Sequence, residues 1–184
     1  MPAGHRSIQL TLEGKRTQTP AKVAFVLDIY NKRKMTKTDA TRARARLREG
    51  ERTYCHNAIA PEHVEKAWNT STQLIELSIR SARGSPLSIG FALVQKKGKA
   101  LFIHLLCAAT SDRTSERAQL TALPLSPGAI LLDQIEELAT AAGVLDIQLS
   151  AVPYVINYYR NKGFRHLYPG ESTERPTIAA AAKT

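Results

Sequence analysis

The chain has only two cysteines, no long apolar run and a shortage of acidic side chains, 16 Asp and Glu against 26 Lys and Arg. Each scarcity removes a class of protein. Cys55 and Cys107 cannot build the disulfide framework of a small secreted domain, so both are expected to stay reduced inside a cell, in the cytoplasm or the nucleus. No apolar stretch approaches the ~18 residues that a membrane-spanning helix needs. The opening MPAGHRSIQL also lacks the apolar core of a secretory leader. A membrane partner is therefore not expected. The shortage of acid leaves a formal charge of +10, which favours anionic partners such as phosphorylated cofactors, nucleic acid or acidic proteins. The same charge disfavours a polycationic substrate. What remains is 184 residues, 43% of them hydrophobic, enough for the core of one ordinary domain.

The charge is unevenly placed. Between Lys32 and Arg52 stand nine cations (Lys32, Arg33, Lys34, Lys37, Arg42, Arg44, Arg46, Arg48 and Arg52) against Asp39, Glu49 and Glu51, a net +6. Upstream, Val23, Val26, Leu27 and Tyr30 recur at three- and four-residue spacing, which predicts an amphipathic helix over 22–30. Residues 38–49 are rich in Ala and Arg and predict a second helix, stopped at Gly50. Pro61, followed by Glu62, predicts a third helix ending near Trp68. From Thr72 the period shortens to two, predicting strands over 72–80, 87–95 and 100–108 joined by short turns. A polar loop spans 110–122. Ser126 and Pro127 then open a helix whose stripe is Leu131, Ile135, Leu138 and Ala142, and Gly143 closes it. A strand over 144–149 and a helix from near Pro153 to Gly163 follow. Strand, helix and strand over 100–150 make a crossover with two parallel neighbours.

Ser126-Pro127-Gly128-Ala129 reads in two ways. Small residues at a helix start after a buried strand let an anion reach free N–H groups, and the same residues are simply a good helix beginning. His104 stands in an otherwise apolar strand, either as a core histidine or as a group that titrates near neutrality. Buried cysteines such as Cys107 are mostly inert packing. Cys55, His56 and His63 have no metal-ligand spacing, so no metal is expected. Glu76 and Ser78 lie in the first strand of the meander, where one of them faces an acceptor in some arrangements. The Arg42, Arg44, Arg46 and Arg48 run is either solvated surface or an anionic contact.

The C-terminal order of strand, small-residue loop, helix, strand and then Tyr158-Tyr159-Arg160-Asn161-Lys162-Gly163-Phe164 resembles the GCN5-related N-acetyltransferase (GNAT) family. Members carry a tyrosine four positions before a Gly-Phe pair, as Tyr159 stands before Gly163-Phe164. Their acetyl-CoA loop reads Gln/Arg-x-x-Gly-x-Gly/Ala before a helix with a Leu-Leu pair. Leu131-Leu132 and Ile135-Glu136 fit that helix, and Gly128 falls on the second glycine. Ser126 takes the place of the first glycine and Leu123 that of the Gln or Arg, so the motif is degenerate. The likeness covers about residues 72–168, with 21–69 supplying the first helices.

The resemblance implies an α/β (α+β) fold: a mixed, mostly antiparallel sheet with helices on both faces and a splayed parallel strand pair. Leu106, Cys107 and Ala108 would pair with the pantetheine arm of acetyl-CoA, a co-substrate. The amides of Ser126, Gly128, Ala129 and Ile130 would hold its pyrophosphate, with Arg113 or Arg117 standing in for the lost side chain. Tyr159 would be the general acid, and His104 matches the base histidine of the arylalkylamine acetyltransferases. The expected activity is direct transfer of acetyl from acetyl-CoA to an amine, whether a protein lysine, an N-terminus or a small amine. Residues 1–20 form an N-terminal strand or extension, 21–168 the transferase domain and 169–184 a tail with an edge strand. The rival expectation is a weakly catalytic or non-catalytic protein of this fold that binds nucleic acid or an acidic protein through Lys32–Arg52.

Overall fold

Alternation defeats helical spacing at the start of the chain. In the computed structural model, which describes residues 4–13, 22–50, 59–80, 86–109, 126–151, 155–166 and 177–180, Lys22–Asn31 is a strand (β2) and not the expected helix. The same residues satisfy a period of two: Phe25 and Leu27 are fully buried, while Ala24 is exposed and Val26 half-buried. The β-branched Val23, Val26 and Ile29 favour extended backbone. Two apolar neighbours complete the choice, because Leu27 lies between Ile8 of β1 (His5–Glu13) and Leu77 of β3 (Gln73–Arg80).

Two helices follow β2 and precede β3. Thr36 caps α1 (Lys37–Gly50), its Oγ1 accepting from the Asp39 N–H at 3.1 Å. Pro61 opens α2 (Pro61–Thr70), as its fixed φ and missing N–H favour. The meander then runs through β3, β4 (Pro86–Lys97) and β5 (Ala100–Ala108), with Gly98 at φ 59° in the turn between the last two. Helix α3 (Pro127–Ala141) starts on Ser126, whose Oγ accepts from the Ala129 N–H, and ends before Gly143 at φ 66°. Strand β6 (Asp146–Ser150), the short α4 (Ile156–Asn161), β7 (Phe164–His166) and β8 (Thr177–Ala180) finish the described chain. The loop expected over 110–122, with Arg113 and Arg117, lies outside the described residues. None of the described helices is long and apolar enough to cross a membrane.

The eight strands among the described residues form one sheet, ordered β1-β2-β3-β4-β5-β6-β8-β7, in which β5 and β6 are the parallel pair. This is the mixed α/β sheet with helices on both faces and a splayed parallel pair. On one face α3 covers Phe25, Leu27, Ile75, Leu77, Ile147 and Leu149 through Ile130, Leu131 and Ile135. On the other, Ala43 and Leu47 of α1 and Val64, Ala67 and Trp68 of α2 cover Tyr30, Leu74, Phe91, Leu93 and Leu105. The expected C-terminal edge strand is corrected: β8 sits inside the sheet, Ile178 pairing with both Leu149 and His166, and β7 is the edge.

Register shifts set which side chains reach the site. Leu93 of β4 pairs with Leu105 and Val94 with Ile103, so His104 is an extra residue in β5 with no partner position on β4. The bulge exchanges the faces of the strand. Leu101 and Ile103 join the core under α3, whereas Leu105 and Cys107 join the core under α1 and α2. The parallel pairing also stops here: it runs from Ala100 with Asp146 to Ile103 with Leu149, while β5 continues to Ala108.

Candidate functional site

Where β6 leaves β5, a cleft of about 540 Å³ opens. Its walls include His104 and Leu106 of β5, Leu149 and Ser150 of β6, Tyr159 of α4, and His63 and Lys66 of α2. The bulge and the end of the parallel pairing thus bring His104 and Tyr159, 55 residues apart in sequence, into one cavity.

His104 is half-buried and its Nε2 lies 3.0 Å from Gln95 Oε1. An amide oxygen only accepts, so Nε2–H donates and Nδ1 keeps its lone pair. Burial, then the nearby Lys97 and Lys32 ammonium groups, lower its pKa from the ordinary imidazole value. The ring is therefore neutral at physiological pH, as a proton acceptor must be. Tyr159 is 8% exposed, edge-on to both Tyr158 and Phe164 at centroid distances of 5.2 and 5.6 Å. Burial, then Tyr158, push its pKa up to about 12. It holds its proton and is able to donate a hydrogen bond.

The expected anion cradle is narrower than its four amides. The Ala129 N–H donates to Ser126 O at 2.9 Å and the Ile130 N–H to the same oxygen at 3.0 Å. Gly128, in the first turn of α3, keeps an N–H with no intrahelical acceptor. A Cβ on Gly128 would stand 3.5 Å from the Ala108 Cβ and 3.8 Å from the Tyr158 hydroxyl. The end of β5, the start of α3 and Tyr158 therefore meet at one corner. Leu106 lines the cleft and Ala108 this corner. Cys107 is 5% exposed and packs in the core under α1 and α2, so it offers a ligand its backbone.

Tyr158 was not legible as a site residue, because nothing in a Tyr-Tyr pair says which ring faces a ligand. Its hydroxyl is the one buried side-chain polar atom without a hydrogen-bond partner among the described residues. Burial and then the Asp133 carboxylate raise its pKa, and the adjacent Ser126 hydroxyl lowers it. Ser126 Oγ is nevertheless engaged with the Ala129 N–H at 3.3 Å, and the two hydroxyls are not in bonding geometry.

Other sequence candidates go elsewhere. Glu76 and Ser78 are 2% and 1% exposed and do not line the cleft; Arg46 reaches Glu76 at 3.4 Å. Lys32 donates to Trp68 O and to Ser71 O, the latter at 2.9 Å, at the end of α2. Arg44 pairs with Glu65 at 3.0 Å and lies over Trp68, and Arg42 pairs with Asp39 at 3.8 Å. Among the described residues no cluster of three or more His, Cys, Asp or Glu is placed to hold a metal ion. Cys55 and His56 lie outside the described residues.

No protein-family model matches the sequence, and no curated protein matches it. Solved structures do match in shape. An acyl-CoA N-acyltransferase from Pseudomonas aeruginosa superposes with a TM-score of 0.57 at 10% identity, over 85% of this chain and 99% of that one. Tetrahymena GCN5 gives 0.52 at 12% identity over 79% and 89%. A GNAT-family acetyltransferase from Staphylococcus aureus Mu50 gives 0.50 at 11% identity over 84% and 98%. The fold is that of the GCN5-related N-acetyltransferases.

Proposed function

We propose that the protein is an N-acetyltransferase that moves the acetyl group of acetyl-CoA directly to an amine. The observation that carries this is the bulge at His104, where the parallel strands part and a neutral imidazole and a protonated phenol line one cleft. Leu106, the Cys107 backbone and Ala108 would flank the pantetheine arm. The Gly128 N–H and the Tyr158 hydroxyl would meet the cofactor at the start of α3, with Ser126, Ala129 and Ile130 shaping the turn. The fit is supported by an orphaned buried donor beside a glycine that leaves the corner open.

The chemistry follows from the protonation states. Acetyl-CoA supplies the activated acyl group, and the amine must lose a proton as its nitrogen bonds to the acyl carbon. His104 Nδ1 accepts that proton directly or through one water, since Nε2 is committed to Gln95. Tyr159 donates a hydrogen bond to the departing thiolate. With its pKa at about 12 against roughly 8.5 for a thiol, Tyr159 stabilises the thiolate better than it protonates it. The acceptor is an amine of a protein lysine, an N-terminus or a small molecule.

A CoA-release assay against a panel of amines and peptides tests this. We expect turnover with at least one amine, a loss of about a hundredfold or more in His104→Ala, and thermal stabilisation by acetyl-CoA in both proteins. Absence of both release and stabilisation would overturn the proposal.

A further inference from the structure

A second cavity, of about 610 Å³, shares no wall residue with the cleft. It opens on the α3 side of the sheet, between the C-terminal half of α3 and strands β1 to β5. Ile75, Val94 and Ile135 form its floor, and half-buried Ile29, Leu138 and Val144 line its walls. Among the described residues no Asp or Glu contributes to the lining, while Arg6, Arg33 and Lys96 stand around it.

These cations are not equivalent. Lys96 Nζ donates to Ala142 O at 2.7 Å and so belongs to the end of α3. Arg6 and Arg33 are exposed, and neither guanidinium forms an ion pair among the described residues. Arg6 sits on β1 opposite Ile29 of β2, and Arg33 follows two residues after that strand ends, so both reach the cavity from one side. Unpaired guanidinium forks over an apolar floor match a planar anionic head joined to an apolar body. The volume is that of a small-molecule site, and the uncharged floor does not suit a polyanion.

We propose that this cavity binds a small amphipathic carboxylate, with Arg6 and Arg33 holding the carboxylate and the apolar body lying against Ile29, Leu138 and Val144. The site is independent of the acetyl-transfer cleft and stands or falls separately from it.

Octanoate and its neutral isostere 1-octanol are titrated into the full chain, with amide chemical shifts followed by NMR. We expect octanoate to perturb residues 29–31, 94–96 and 138–144 and to bind at least about tenfold more tightly than 1-octanol. The double variant Arg6→Gln/Arg33→Gln changes only exposed side chains; it should lose the preference for octanoate and keep the acetyl-CoA thermal shift of the unaltered chain. Equal binding of octanoate and 1-octanol, perturbations confined to the cleft, or a preference that survives the double variant would each overturn the proposal. So would sedimentation showing a dimer that Leu138→Glu dissociates, because a second copy would then cover the cavity.

Discussion

Replacing Tyr158 by Phe separates what a buried hydroxyl costs the fold from what it gives a ligand. The Tyr158 oxygen is buried without a partner among the described residues, and an unsatisfied buried hydroxyl costs about 1–3 kcal/mol. The Phe ring keeps the edge-on contact with Tyr159, whose centroid lies 5.2 Å away, so no cavity beyond one oxygen is created. The ligand-free protein should therefore gain about 2 kcal/mol. At about 2–4 °C per kcal/mol for a chain of this size, its Tm should rise by roughly 4–8 °C. Binding should move the other way. Losing one donor to acetyl-CoA removes about 1–1.5 kcal/mol, which weakens Kd by about tenfold. Differential scanning calorimetry without ligand and isothermal titration with acetyl-CoA read the two effects separately. Tyr159→Phe is the control: Tyr159 lines the cleft, and in the proposed role loss of its hydroxyl should lower kcat and leave Kd nearly unchanged. A Tm that falls in Tyr158→Phe means that the hydroxyl is satisfied in solution. An unchanged Kd means that it does not face the cofactor, and either result refutes the reasoning.

Three further outcomes are expected. Lys97 lowers the His104 pKa through its charge, so Lys97→Gln should raise that pKa and move the acidic limb of the kcat/KM profile to higher pH; an unmoved limb would show that His104 is not the titrating base. Lys32 ties the end of α2 to β2 through Trp68 O and Ser71 O and lies 4.5 Å over the Trp68 ring. Lys32→Met should accordingly cost about 2 kcal/mol in urea unfolding, and a change below about 0.5 kcal/mol would contradict that role. Gly143 has a φ of 66° with open space around its Cβ position, so Gly143→Ala should destabilise by about 1–2 kcal/mol through backbone strain alone, and an unchanged Tm would refute this.

The elements visible in the sequence were those with local punctuation. The Ala/Arg composition before Gly50, and Pro61, Ser126-Pro127 and Gly143, mark helices α1 to α3 by propensity and capping chemistry that need no knowledge of neighbours. Strand β5 was legible because its apolar run is flanked by a glycine turn and a polar loop. The misreading of β2 has a different origin. Val23, Val26, Leu27 and Tyr30 satisfy the helical period, Phe25, Leu27 and Ile29 satisfy the strand period, and only the neighbouring Ile8 and Leu77 decide between them. The interior place of β8 likewise depends on pairing to β6 and β7, which four residues cannot encode. For the site, residue types were readable and geometry was not. His104 stood out as a polar intruder, but its position at a bulge exists only once β4 and β5 are in register. The acceptance of the Ala129 and Ile130 amides by Ser126, and the orphaned hydroxyl of Tyr158, are equally products of packing.

The basic segment changes meaning once its side chains are placed. As sequence, nine cations between Lys32 and Arg52 read as a surface for a polyanion. Within the fold, Lys32, Arg42, Arg44 and Arg46 all have intramolecular partners. Arg42 pairs within α1, whereas the other three link elements: Arg44 joins α1 to α2 through Glu65 and Trp68, Arg46 joins α1 to β3 through Glu76, and Lys32 joins the end of β2 to the end of α2. Arg33 faces the second cavity. The exposed remainder among the described residues, Lys34, Lys37 and Arg48, is split between the turn before α1, its first residue and its last turn. A nucleic-acid groove needs several free cations in a row, because each neutralised phosphate contributes separately to affinity. Here the row is interrupted by pairs that hold α1 and α2 over one face of the sheet, where α2 forms a wall of the cleft through His63 and Lys66. Three of the nine cations, Lys32, Arg44 and Arg46, thus act within the fold by linking α1 and α2 to each other and to the sheet.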